Sequence, residues 1–273
     1  MSPLPSASAQ ATPAEARQLV DELARIETLP PRRLAIGDRL AELGDPRPGV
    51  GLDSRGLPAL DWVEIPGGAY LYQQGETRSL PTFHMARYPI TNVQYQAFID
   101  AGGYRDERWW QGIEHPQPEG SRWPQPNRPR TNVDWYEAVA FCRWLSAQLG
   151  YEVRLPSEEE WERATRGRDG RTYPWGERYE SGYANVDEKT VKAGKWYLEQ
   201  TTAVGVYPHG ASPEGVLDLA GNVWELCSES GVVRGGSWGS NPDYARGARR
   251  YRAIPDSRYD SGGFRLVSSA PIR

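Results

Sequence analysis

A chain of 273 residues with a net charge of −4 holds one large core plus a small appendage, and its bulk charge argues against nucleic acid as a partner. Two cysteines, Cys142 and Cys227, cannot make a disulfide framework, and no apolar run approaches membrane-spanning length, so membrane insertion is not expected. The 11 Trp and 15 Tyr against 4 Phe predict a core threaded with hydrogen bonds, because buried indoles and phenols need polar partners, and 29 Gly and 23 Pro predict many irregular loops.

Residues 1–12 are small, polar and proline-containing, and are expected to be disordered. They lack a basic-then-apolar leader pattern, so the expected location is the cytoplasm, with surface display after export left open. From Pro13, the residues Ala16, Leu19, Val20, Leu23 and Ile26 fall at helical spacing, and Pro30-Pro31 is expected to end that helix. A second helix is predicted over about 32–43, with Leu34, Ile36, Leu40 and Leu43 inward and Gly44 as its cap. Residues 13–50 thus read as a helical hairpin and linker, expected to dock on the main domain.

The main domain is expected over 60–270. Residues 61–65 alternate as a strand, Pro66-Gly67-Gly68 turns it, and 69–72 continue it; 83–88 read as another strand. Thr91-Asn92 caps a helix carrying Val93, Tyr95, Phe98 and Ile99, and 102–131 form a Trp- and Pro-rich loop. A helix over 135–149 closes on Gly150, 151–155 form a short strand, and Ser157 with Glu160 makes a capping box that opens a helix to about Arg166. Residues 167–215 show little periodicity, and a loop that long needs something besides backbone ladders to order it; a bound cation is one candidate. Strand-like stretches at 216–217, 223–227, 232–238 and 263–267 complete an α+β pattern: two or three helices on small antiparallel sheets with much irregular loop.

The stretch from Gly239 to Gly262 contains no Lys, Glu, Gln, Met or Trp, although these types make up roughly one residue in five elsewhere. It is filled with Tyr, Ser, Gly, Asn, Asp, Ala and Arg. Tyr gives rigid amphipathic contact area, and Ser, Gly and Asn adapt their hydrogen bonding, which is the composition of a binding surface. The bland alternative is a solvated Arg-rich loop. Gly235-Gly236-Ser237-Trp238-Gly239 matches the nucleophile-elbow spacing, but Ser240-Asn241-Pro242 follows where that motif needs a helix, so Ser237 is assigned a structural hydroxyl. His84, His115 and His209 lie far apart, without metal-ligand spacing. Asp218 and Glu225 flank a tight turn at 219–224, and two carboxylates with backbone carbonyls suit a hard cation such as Ca²⁺.

Eight stretches in this order together resemble the formylglycine-generating-enzyme (sulfatase-modifying factor) family: Trp62–Gly68, Tyr88–Tyr95, Asn132–Ala138, Arg154–Ala164, Tyr173–Gly176, Gly215–Glu225, Arg234–Trp238 and Gly263–Leu266. The resemblance implies a variant of the C-type lectin fold. It also implies what the chain lacks. The enzymes use a cysteine pair after the GGS-[YW] motif, as copper ligands and for thiol chemistry, and residues 239–250 hold no Cys. The related iron-dependent sulfoxide synthases use a His-based triad that this chain does not match, so neither copper nor iron is expected.

What remains is similar to the variable proteins of diversity-generating retroelements, in which error-prone copying randomises Asn-type codons at their first two positions. Such codons, ending in a pyrimidine, cannot encode the five missing types. On that resemblance Pro242, Arg246, Ala248, Arg250, Arg252, Pro255, Asp256, Arg258 and Gly263-Phe264-Arg265 form a fixed frame. Gly239, Ser240, Asn241, Asp243, Tyr244, Arg249, Tyr251, Ala253, Ser257, Tyr259, Asp260 and Ser261 form the diversified face. The family further implies structural Ca²⁺, at Asn185 and Val186 for one site and at Asp218, Gly221, Val223 and Glu225 for another. The expected function is therefore non-catalytic binding of a protein or other macromolecule. The alternatives are a metal-dependent oxidase or sulfoxide synthase, and a fixed regulatory interaction module.

Overall fold

The computed structural model describes residues 13–270, so the disorder expected for residues 1–12 falls outside them. In chain order the elements are α1 (Pro13–Leu23), α2 (Pro30–Leu43), β1 (Trp62–Ile65), β2 (Gly68–Tyr72), β3 (Glu76–Leu80), β4 (Phe83–Ala86), α3 (Asn92–Asp100), α4 (Trp135–Leu149), α5 (Glu158–Arg166), β5 (Trp224–Leu226), β6 (Val232–Arg234), β7 (Arg250–Arg252), β8 (Gly262–Phe264) and β9 (Val267–Ser268). They form a mixed α+β fold with three small sheets, ordered β1-β4-β9, β2-β3 and β7-β6-β5-β8. The expectation of antiparallel sheets fails at one pair. Strand β8 runs parallel to β5, with Glu225 opposite Gly263, because the chain leaves β7 and crosses before entering the far edge.

The first helix stops at Leu23, leaving Ile26 exposed beyond it, and Pro30-Pro31 opens α2 instead of closing α1. Proline is favoured at the first helical turn because its missing N–H has no partner there anyway. The two helices form a hairpin whose Ala16, Leu23, Ile36 and Leu40 pack on Ala203, Val206 and Tyr207. The contact is close enough that a Cβ on Gly37 would lie 2.7 Å from Ala203 Cβ. Buried Arg33 ties it down, donating to Leu23 O and Val206 O at 2.7 Å each.

Three capping boxes set the remaining helices, Thr91 with Gln94, Asp134 with Glu137 and Ser157 with Glu160, and Gly150 closes α4 at φ 76°. The α3–α4 side buries a ring cluster of Tyr95, Phe98, Phe141, Trp144 and Phe264. The expected strand at 151–155 is only a bridge between Arg154 and Val267, no strand forms at 216–217, and β3 and β7 were not anticipated. In the long loop, buried Glu188 accepts from Tyr179 OH (2.8 Å), Ser181 Oγ (2.7 Å), Gly182 N (2.8 Å) and Trp196 N (3.1 Å), so one carboxylate gathers the chain where no ladder does.

Glu160 illustrates how these caps carry charge. Burial pushes its carboxyl up, but the Arg154 fork (2.7 Å to each oxygen) and the Ser157 N–H (2.8 Å) outweigh burial and hold it below its ordinary value. A carboxylate held low in the folded state stabilises above its unfolded range and loses that contribution as pH falls through the folded value. Glu160→Gln should therefore lower urea stability by about 1–2 kcal/mol at pH 7, with the gap closing below pH ~4. An equal gap at pH 3 and pH 7 would contradict this assignment.

Candidate binding face

The face rests on β5 and β6, where residues alternate sides with period two. Trp224 and Leu226 point up with Val233, while Glu225 and Arg234, cross-strand partners, point down into the core. Below, Glu225 accepts from Trp161 Nε1 (2.7 Å), Arg265 Nε (2.6 Å) and Arg265 Nη2 (2.6 Å). Arg265 also donates to Leu217 O (2.9 Å) and Ala86 O (3.1 Å). Arg234 donates to Glu158 (2.8 Å), Glu162 (2.5 Å) and the Gly247 carbonyl (2.8 Å), with its guanidinium 5.3 Å from the Trp161 ring. Glu162 is held in turn by Arg166 (2.6 Å) and the Gln73 N–H (2.6 Å). Glu225, Glu162, Arg234 and Arg265 show no exposed side-chain surface, so the underside is fixed by buried, directional, charge-assisted bonds, with Arg234 Nε alone of that guanidinium left without a partner.

The tail is then pinned at intervals. Gly247 O is held by Arg234. Pro255 O accepts from Trp135 N and Tyr259 O from Asn132 N, both at 3.0 Å, at the start of α4. Arg258 reaches Glu137 and Glu119 at 2.8 Å. Arg258 and Arg265 thus tie the tail to the body of the domain. Arg246, Arg250 and Arg252 are exposed, Arg246 engaging Asp243 (2.7 Å) and the Tyr173 hydroxyl and Arg250 reaching Glu158 at 3.3 Å.

None of the twelve residues expected on the diversified face is buried. Gly239, Ser240, Asn241 and Tyr244 line one open hollow of about 300 Å³, together with Asp187 and Thr190. Ala253, Ser257, Tyr259 and Ser261 line a second of about 260 Å³, floored by Val133, Leu226 and Val233. Tyr251 and Trp224 line both, their rings 5.8 Å apart. The remaining three lie outside the hollows: Asp243 on Arg246, Arg249 over the Tyr244 ring (5.2 Å), and Asp260 on Arg122 (2.8 Å). Sequence reasoning missed the shared floor and wall, namely Trp224, Leu226, Val233, Val133, Asp187 and Thr190. It also missed Ile254, the most exposed of the large apolar side chains at 65%. The Trp-Glu-Leu alternation of β5 could have placed Trp224 and Leu226; Asp187 and Thr190 carry no local signal.

No Cys or His lines either hollow. Cys142 and Cys227 are buried, which pushes both thiols up and away from the reactive thiolate. Ser237 is buried with its Oγ 3.2 Å from Ser240 Oγ, and a 3-10 turn at Pro242–Ala245 follows where a nucleophile elbow needs a full helix. His115 stacks on Trp110 and bonds the Tyr104 carbonyl, His84 lies on β4 and His209 sits by Tyr183.

Among the described residues no three His, Cys, Asp or Glu side chains converge. Asp218, Gly221, Val223 and Glu225 each have protein partners in this arrangement. Both Glu225 oxygens face the Arg265 guanidinium, Asp218 Oδ2 accepts from Gly205 N (2.6 Å), and the Gly221 carbonyl accepts from Val223 N (2.9 Å). Asn185 and Val186 differ. Asn185 is buried beside Asn222, and its Oδ1 has no partner, leaving an acceptor that a hard cation can use.

Fold and face together define a small mixed α+β domain of C-type-lectin-like build with a rigidly mounted surface. The chain belongs to the sulfatase-modifying factor enzyme 1-like domain family, which it matches over residues 53–270. It is 31% identical over 234 residues to hercynine oxygenase of Mycobacterium tuberculosis, covering 69% of this chain and 53% of that protein. The chain thus spans about half the length of the hercynine oxygenases it matches. It is 30% identical over 276 residues to inactive C-alpha-formylglycine-generating enzyme 2 of Mus musculus, covering 76% of this chain and 85% of the relative. Among solved structures, Treponema denticola variable protein 1 superposes with a TM-score of 0.58 at 21% identity, covering 77% of this chain and 95% of that one, a likeness of fold alone.

The underside network carries a direct test. Glu225→Gln removes the charge opposite a fully buried guanidinium and should cost about 3–5 kcal/mol in urea unfolding, whereas Tyr251→Ser and Tyr259→Ser should each stay within about 0.5 kcal/mol. Comparable losses from all three variants would deny the separation of a rigid underside from a tolerant face.

Proposed function

We propose that this chain is a non-catalytic binding protein whose tail face recognises a protein or other macromolecule, and that a diversity-generating retroelement exchanges the side chains of that face. The observation that carries this reading is positional. The twelve residues of the composition gap assigned to exchange all reach the surface, and nine of them line two adjoining hollows over a floor outside the gap. Lys, Glu, Gln, Met and Trp, the five types the copying chemistry cannot encode, are all among those absent from the gap. Tyr251 and Tyr259, 56% and 48% exposed, supply the rigid aromatic contact area that dominates macromolecular recognition. The variable protein of Treponema denticola supports the reading through shared fold, and the inactive mouse relative shares the family.

The DNA following the tail codons tests it. A near-duplicate repeat with adenine wherever the twelve codons differ is expected, and sibling copies should vary at those positions and nowhere on the floor. A tail identical in every copy, with no repeat, would contradict it. Calcium in this reading is structural and falls to Asn185 and Val186. Millimolar Ca²⁺ should raise the melting temperature of the wild-type chain and leave Asn185→Ala unmoved, while an equal response from both would remove that assignment.

A second reading, a metal-dependent oxygenase, is favoured by the 31% identity to hercynine oxygenase. It requires stoichiometric iron or copper and thiol-dependent oxygen uptake by the purified chain. The binding reading expects neither, and an oxygen electrode with metal analysis separates the two.

A further inference from the structure

The four-stranded sheet ends on β7, and the alternation of its hydrogen bonds can be assigned residue by residue. Cys227 N donates to Val232 O (3.1 Å), so the backbone of Val232 faces β5, and that of Val233 faces β7. Tyr251 lies opposite Val233, and Ala253 N donates to Gly231 O (2.9 Å), so the backbone groups of Tyr251 and Ala253 point inward. An antiparallel ladder alternates, which turns the N–H and C=O of Arg250 and Arg252 outward. Among the described residues nothing pairs with them.

The same alternation sorts the side chains. Arg250 and Arg252 project on one side, and Tyr251 projects on the other toward Trp224. The basic charge along this edge is only partly met, and Arg252 is the arginine left over. Arg258 is engaged by Glu119 and Glu137 and Arg246 by Asp243, and Arg250 meets Glu158 at 3.3 Å. Arg252 meets no carboxylate within 4.0 Å among the described residues.

Charged side chains commonly blunt an edge strand against unwanted pairing. Blunting accounts for the arginines but not for Tyr251 and Ile254, which stand exposed beside them. An edge that is basic on one side and aromatic on the other excludes basic strands and suits strands that alternate acidic and apolar residues.

We propose that β7 is a strand-addition edge for an extended acidic segment of a partner protein. The segment pairs its backbone with the outward groups of Arg250 and Arg252, sets carboxylates against those two guanidinium groups, and lays the intervening apolar side chains over Tyr251 toward Trp224. The proposal rests on the tail face being a binding surface and adds the backbone mode and the charge of its partner.

The test uses the full chain and a fluorescein-labelled Glu-Val-Glu-Val-Glu-Val amide, read by anisotropy and by amide hydrogen exchange. Saturable binding is expected, with exchange at Arg250 and Arg252 slowed about tenfold or more on addition of peptide. Arg252→Glu, at an exposed and unpaired position, should weaken binding about tenfold with an unchanged melting curve, and N-methylation of the peptide backbone should abolish binding. No saturable binding, binding that leaves both amides unprotected, or equal binding of a Lys-Val peptide or an oligothymidylate would each overturn the proposal. Failure of the broader reading looks different: it appears as an invariant tail without a template repeat, whatever the peptide does.

Discussion

The structure depends on a buried charge arrangement centred on Trp161. Its indole N–H and the Arg265 guanidinium converge on Glu225, and Arg234 lies against its ring while holding Glu158, Glu162 and the Gly247 carbonyl. Burying such ions is costly, and an apolar replacement of equal volume is often no less stable. What the ions supply is direction. Each guanidinium has a fixed fork, so β5, β6, α5 and the start of the tail are held at set angles, and removing one partner strands the rest. Apolar packing alone would fill the same volume with less control over the orientation of the strands above it.

That orientation allows the tail to be irregular. Between β6 and β8 the chain forms only one three-residue strand and one short turn, yet it is fastened at Gly247, Pro255, Arg258 and Tyr259 by partners outside itself. The fastening uses backbone carbonyls more than side chains. A carbonyl is present whatever residue stands there, so Tyr259 holds Asn132 through its carbonyl while its ring stays in solvent. At such positions side-chain identity is uncoupled from backbone path, whereas Ser240 and Asn241 still hold the chain through their side chains, accepting from Ser237 N (3.1 Å) and Asp243 N (3.0 Å).

Where the physics was local, the sequence announced the structure. Helix α5 was legible from Ser157 and Glu160, α4 from its apolar spacing and Gly150, and the exposure of the tail residues from their composition. Long-range constraints hid the rest. The floor of the hollows joins Val133 to Leu226 and Val233, about ninety to a hundred residues apart, and no periodicity carries that information. Strand β7 exists because Val232–Arg234 offers it a ladder, although Arg-Tyr-Arg has little strand propensity of its own. Glu225 is hidden for a related reason. Two carboxylates flanking a turn looked free in sequence, and only the return of Arg265 from a point 40 residues further along shows what Glu225 binds.

The hairpin at the N-terminal end fits the same logic. Its apolar face covers Ala203, Val206 and Tyr207, and from there the contacts continue through Thr202 N to Asn222 Oδ1 (2.9 Å) and through Asn222 O to Trp238 N (3.0 Å). Asn222 sits at φ 66°, in the left-handed region that short polar side chains tolerate, and its buried amide binds the long loop on one side while its carbonyl meets the entrance of the tail on the other. The appendage therefore buttresses the loop that seats this turn. Its packing is part of what keeps Trp238 and the first residues of the tail in place, and it belongs with the rigid underside, apart from the exposed face.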